Sequence, residues 1–182
     1  MKITHTLFVF AILFLAACGD SSSDSNEILV GSWDLVQLNG DGTASTMKGG
    51  STNEKDITVT SGEVEYVINF TEGSYVTAGS YSVTNETIDA NGGKVFEALM
   101  YTNASGSGTY KIEDNILTAG GPFIGVQIVG VNLGLMAGEQ VSIIASLTAE
   151  ELVLSNTQEK SLMQGDSTIT VALNTRSVWT KR

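Results

Sequence analysis

From Ile28 onward, apolar and polar residues alternate in short runs, and no stretch sustains a helical period. The clearest run is 63–71. There Val64, Tyr66, Ile68 and Phe70 share one face, while Glu63, Glu65, Asn69 and Thr71 share the other. Such alternation predicts a strand with one face buried. Glu72-Gly73 follows, and glycine accepts the positive φ that a tight reversal demands. Residues 74–84 are therefore predicted to return antiparallel, with Tyr75, Tyr81 and Val83 on one side. Further strands are expected at 32–38, 94–102, 108–113, 115–119, 140–147, 151–157 and 167–180. An antiparallel set of this size must close on itself or stack, because otherwise its edges stay open. The expected fold class is all-β, an antiparallel up-and-down β-barrel of about 8–10 strands.

Two stretches depart from this meander. Residues 39–53 (NGDGTASTMKGGSTN) read as a polar, glycine-rich loop. Asp41 lies in it, but the spacing and terminal Glu of a calcium loop are absent, so no metal site is expected. Residues 115–138 carry no charged side chain over twenty-four positions. Three readings are open for them: buried strands with a cap over one end, an apolar portal, or a membrane-dipping segment. Pro122, Gln127, Asn132 and six glycines in the stretch weigh against a span.

Ahead of the domain, the apolar run Leu7 to Leu15 follows a short start bearing Lys2. It is too short for a durable transmembrane helix, which needs roughly 20 apolar residues, and reads as a secretory signal peptide. It ends in Leu15-Ala16-Ala17-Cys18, which resembles the lipobox of bacterial lipoproteins. The resemblance implies that residues 1–17 are removed and that Cys18 carries lipid, fastening the protein to a membrane. Residues 18–27 would then be the lipidated cysteine and a flexible tether, since GDSSSDSN lacks apolar side chains, and 28–182 the domain. Gly19 rather than aspartate follows the cysteine. By analogy with enterobacterial lipoproteins this implies the outer membrane, with the periplasmic or surface face left open.

Composition then removes most chemistry. Cys18 is the only cysteine and His5 the only histidine, and His5 lies in the signal segment. A mature chain with neither imidazole nor free thiol cannot run Ser-His-Asp or Cys-His catalysis, or build zinc sites on Cys or His. Paired carboxylates are the remaining route, and Glu63 and Glu65 fall on the outward face of their strand without a recognisable motif. No enzymatic activity and no cofactor are expected. Nine Lys and Arg against twenty Asp and Glu give a formal charge of −11, which repels nucleic acid.

The opening Val30-Gly31-Ser32-Trp33-Asp34-Leu35 resembles the "L-x-G-x-W-x-L" start of lipocalin-like domains in bacterial lipoproteins. Phe70-Thr71-Glu72-Gly73-Ser74-Tyr75, Gly108-Thr109-Tyr110-Lys111-Ile112 with Asn115-Ile116-Leu117, and the Leu147 to Leu154 hairpin resemble later landmarks of that family, in the same order. The resemblance implies a barrel whose closed end is plugged by Trp33, after Gly31, with a basic residue of the last strand across the indole. Arg176 is the natural candidate, with Lys181 and Arg182 as alternates. Trp179 is expected to serve end packing.

Eight strands leave room either for packed side chains or for one small molecule. The inward ligand-binding candidates are Tyr66, Ile68, Phe70, Tyr75, Tyr81, Phe96, Met100 and Tyr110. Their apolar bodies and phenol groups suit a small lipid-like or aromatic ligand. In the alternative, the same side chains meet and fill the core. The protein is then a structural or protein-interaction module of the envelope, with the uncharged 122–137 stretch as its contact if exposed.

Overall fold

The computed structural model describes residues 21–133 and 138–182. The expected signal segment 1–17, Cys18 and the two residues after it lie outside the described residues. One helix, α1 (Ser21–Leu29), precedes ten strands. These are β1 (Gly31–Lys48), β2 (Ser51–Thr71), β3 (Ser74–Asp89), β4 (Lys94–Glu113), β5 (Ile116–Gly120), β6 (Val126–Ile128), β7 (Val131–Leu133), β8 (Glu139–Leu147), β9 (Glu151–Gln164) and β10 (Ser167–Lys181). Eight of them form one antiparallel sheet closed into a ring, in the order β1-β10-β9-β8-β5-β4-β3-β2. Ring strands adjacent in sequence pair with one another, β5 pairs with β8 across the β6–β7 excursion, and β10 returns to β1 from Trp33↔Lys181 to Lys48↔Ser167. The remaining two, β6 and β7, pair only with each other.

The strands are unequal, and this shapes the molecule. β1, β2 and β4 run 18, 21 and 20 residues, whereas β5 has five and β8 nine. The sector between β4 and β9 is consequently filled only near one end, here termed the base. β4 pairs with β5 no further than Thr109, and β9 with β8 no further than Ser155. Beyond those rows β4 and β9 have no ladder partner on that side.

The predicted 39–53 loop is absent. β1 and β2 pair straight through it, from Asn39↔Thr60 to Lys48↔Ser51. Gly49 and Gly50, at φ 56° and 81°, reverse the chain in two residues, the geometry that matches strand twist. Residues 94–102 and 108–113, expected as separate strands, are one strand. Asp89 shapes the β3–β4 turn by accepting the Asn91 and Gly93 amides, both at 2.8 Å, and these bonds hold its carboxyl below the usual carboxylate range.

At the base, α1 replaces part of the expected tether. Its polar sequence has little intrinsic helix preference, so docking must support it. Leu29 is fully buried, and the Trp33 indole N–H donates to the Leu29 carbonyl at 2.7 Å. Lys181 Nζ donates to the Ile28 carbonyl at 2.7 Å and lies 5.0 Å from the Trp33 ring centroid. Two free carbonyls of the last helical turn are thus satisfied by one indole and one ammonium. Arg176, the expected partner of Trp33, is corrected by Lys181. Interior positions of β10 are odd-numbered, as Ile169, Val171, Leu173, Ser177 and Trp179 are buried, so Arg176 points outward. Gly31 has φ 130°, and a Cβ there would stand 2.9 Å from Lys181 Cε, so glycine admits the lysine to the indole.

Candidate binding site

Tyr66, Ile68 and Phe70 on β2, Tyr75 and Tyr81 on β3 and Tyr110 on β4 all reach the ring interior, none more than 7% exposed. Alternation along β2 and β3 delivers them to one face. Phe96 and Met100 do not join them. They are 62% and 63% exposed on the outer face of β4, which corrects their expected inward placement. The β3–β4 register slips between Gly79 and Tyr81, opposite Asn103 at φ 51°, and the slip exchanges the two faces of β4. Below it Tyr110 and Ile112 point inward. Above it Leu99 and Tyr101 do, both packed against the core. Tyr101 is thus an interior residue that the alternation alone did not supply.

The interior is occupied by the protein's own residues 122–133. Phe123, Val126, Ile128, Val131 and Leu133 are each at most 3% exposed. Phe123 sits among Tyr75 at 5.4 Å, Trp179 at 5.9 Å and Phe70 at 6.1 Å, centroid to centroid. Of the uncharged stretch, these five side chains belong to the buried core. These five side chains are thus not available to an outside protein, whereas Val129 is 43% exposed; residues 134–137 lie outside the described residues. Trp179 is also interior, with its indole N–H on Ser177 Oγ at 2.9 Å.

The phenol groups hold the main chain of this segment. Tyr66 Oη donates to the Phe123 carbonyl at 2.9 Å, Tyr75 Oη to that of Pro122 at 3.3 Å, and Tyr81 Oη to that of Gly125 at 2.7 Å. Tyr101 Oη accepts the Gln127 amide N–H at 2.7 Å, and Asn85 Nδ2 donates to the Gln127 carbonyl at 2.8 Å. The rings support one another, with Tyr81 stacked on Tyr101 at 4.7 Å and edge-on to Tyr66 at 5.0 Å. Desolvation raises the Tyr66, Tyr81, Tyr101 and Tyr110 phenols above their ordinary value and pushes Tyr75 up to about 12. All five are neutral near pH 7, so they serve as hydrogen-bonding groups and not as bases.

Little enclosed space is left. A cavity of about 20 Å³ lies between Val126, Leu133, Leu154, Ser142 and Ser177. That suits one water, whereas small-molecule sites occupy roughly 300–1,000 Å³. Larger concavities are open to solvent. One of about 420 Å³ runs beside β4 and reaches Tyr66, Tyr81 and Tyr101 past residues 122–125. Glu63 and Glu65 are exposed. Among the described residues, no three His, Cys, Asp or Glu side chains gather where a metal ion could be held. Compared with known proteins, the chain matches no family model, no curated protein and no solved structure.

Proposed function

We propose that this chain is a lipid-anchored, lipocalin-like module of the bacterial envelope that performs no chemistry and acts by contact, with its interior filled by its own residues 122–133. Anchoring rests on Leu15-Ala16-Ala17-Cys18 at the end of the apolar run. The lipocalin-like assignment rests on Gly31 and Trp33 opening the first strand and on a basic residue of the last strand, Lys181, lying across the indole. The observation that carries the filled-interior reading is the pairing of Tyr66, Tyr75 and Tyr81 hydroxyls with carbonyls of the same chain. Phenols already satisfied offer a small apolar ligand neither hydrogen bonds nor room.

Contact then falls to the outer surface. Ile116 and Ile143 are direct cross-strand partners on β5 and β8, and with Val141 they are 41–52% exposed. An apolar group of this kind on a wall strand suits a protein partner in the envelope. Two measurements test the proposal. Cys18→Ser is expected to move the protein out of the membrane fraction, and unchanged fractionation would refute the anchor. An environment-sensitive apolar dye is expected to show no saturable binding to the folded protein. Stoichiometric binding abolished by Tyr81→Ala would refute the filled interior.

A further inference from the structure

The segment that fills the ring is bound to it as a ligand would be. β6 and β7 ladder with each other through Val126↔Leu133, Gln127↔Asn132 and Ile128↔Val131, and with no strand of the ring. The hydrogen bonds that tie residues 122–127 to the wall come from side chains: Tyr66, Tyr75, Tyr81, Tyr101 and Asn85. Each one meets a main-chain carbonyl or amide. The segment leaves the wall at Gly121 and rejoins it at Gly138, where the Gly121 N–H donates to the Gly138 carbonyl at 3.0 Å. This bond between two glycines continues the β5–β8 ladder, whose last pair is Gly120↔Glu139, at the neck of the excursion.

We propose that the chamber lined by Tyr66, Tyr75, Tyr81, Tyr101 and Asn85 is a binding site for an uncharged, extended peptide segment, filled in cis by residues 122–133 and open to a partner's segment of like chemistry in trans. The proposal rests on the filled-interior reading above and names what kind of partner exchanges with the plug. Three features fix the ligand class. The polar groups read carbonyls at 122, 123, 125 and 127 and the amide at 127, a main-chain pattern that a small hydrocarbon lacks. A hydrocarbon would leave those buried groups unpaired, which is costly. The lining supplies phenols and one carboxamide and no counter-ion, so a charged side chain would be desolvated without compensation.

The wall also offers a route. β4 above Thr109 and β9 beyond Ser155 have no ladder partner on this side, and the 420 Å³ groove reaches Tyr66, Tyr81 and Tyr101 beside residues 122–125. Strand edges without a ladder partner suit an incoming extended chain, because they pair main chain with main chain. The in-cis segment is then a competitor held at high effective concentration by its own connections. A trans peptide gains access when that competitor is weakened.

The test uses the full chain and a fluorescent peptide matching residues 121–133, with a short lysine tail outside the matched residues for solubility. Ile128→Ala weakens the plug and leaves every wall residue in place. The peptide is expected to bind this variant about tenfold or more tightly than the parent, since the shift follows the lost competitor stability. The same peptide N-methylated at the position of Gln127 is expected to lose that binding, because Tyr101 then has no N–H to accept. In the parent, amides of 122–133 are expected to exchange with deuterium as a group ahead of β2 and β10. Equal binding of the methylated peptide, or no binding to a variant whose circular dichroism matches the parent, overturns the proposal. Should Ile128→Ala fail to fold, exchange in the parent decides, and release of 122–133 only on global unfolding overturns it. Failure here with no dye uptake leaves the filled interior standing, whereas saturable dye uptake sinks that reading itself.

Discussion

Tyr81→Phe is the sharpest perturbation of the interior, because it deletes one oxygen and keeps the ring. Tyr81 is 2% exposed, and its hydroxyl donates to the Gly125 carbonyl at 2.7 Å. Phenylalanine retains the stack on Tyr101 at 4.7 Å and the edge contact with Tyr66 at 5.0 Å, so apolar burial is unchanged. What remains is a part-buried carbonyl without its donor, at a cost of about 1–3 kcal/mol. With roughly 2–4 °C of melting temperature per kcal/mol for a domain of this size, a mid-range loss lowers Tm by about 4–8 °C. Tyr66→Phe is expected to behave alike, through the Phe123 carbonyl at 2.9 Å. The two hydroxyls hold carbonyls only two residues apart, so one release loosens what the other holds. The double variant should therefore lose less than the sum, with a coupling of about 0.5 kcal/mol or more. Denaturant unfolding of the three variants supplies the cycle, and hydrogen exchange at 124–128 reports whether the loss is local. Single variants within about 0.5 kcal/mol of the parent, the range of neutral surface changes, together with unchanged exchange, would refute the reasoning.

Other changes separate the structure from expectations that it overturned. Lys181→Ala is expected to cost about 1 kcal/mol through the indole contact and the Ile28 carbonyl, while Arg176→Ala stays within about 0.5 kcal/mol, both read by denaturant titration. Gly31→Ala, with φ 130° and a Cβ 2.9 Å from Lys181 Cε, should alter the near-ultraviolet circular dichroism of Trp33 and destabilise by about 1–3 kcal/mol. Phe96→Ser and Met100→Ser, on the outer face, are expected to change stability by less than about 0.5 kcal/mol, against about 2–5 kcal/mol for Ile68→Ala inside. Raising the pH should unfold the protein through its phenols. The Tyr75 phenol is raised to about 12 in the fold from an ordinary 10, so the unfolded chain sheds its proton first. Stability from this group is whole below about pH 10 and lost as pH climbs toward 12, with a shallower loss in Tyr75→Phe, followed by Tm and phenolate absorbance.

Much of the sheet was legible because one-sided burial writes itself as alternation. Tyr66, Ile68 and Phe70 face inward as their spacing requires, and Gly73, at φ 72°, turns the chain where Glu72-Gly73 predicted. The strand pairs across 113–116 and 147–151 follow the same logic. Residues 39–53 escaped it for a physical reason. The inward positions there are Gly40, Gly42 and Ala44, so pairing continues by register without a large apolar side chain to announce it. Phe96 and Met100 were misassigned because a one-residue slip reverses faces, and nothing in a polar Thr102-Asn103 marks such a slip beforehand. The helix at 21–29 depends on carbonyls captured by Trp33 and Lys181, a tertiary cause that a local sequence of serines cannot display.

The occupant of the interior did leave a mark, in residues that carry no side chain. Along β4 the inward positions above Tyr110 are Gly108 and Gly106. A Cβ on Gly106 would stand 2.2 Å from the Pro122 carbonyl oxygen, whereas one on Gly108 would meet the carbonyl of Gly120, the end of the neighbouring wall strand β5. Alternate glycines on the buried face of a strand weaken it unless another main chain passes close by. Seen beside an uncharged stretch with nowhere polar to go, Gly106 signals that this stretch starts against β4. The tyrosines alone could not give that answer, since a phenol awaiting a ligand and a phenol bonded to its own chain have the same spacing. Gly106 breaks the tie, because a small ligand does not require the wall to be stripped to its backbone there, whereas a polypeptide passing as close as Pro122 does.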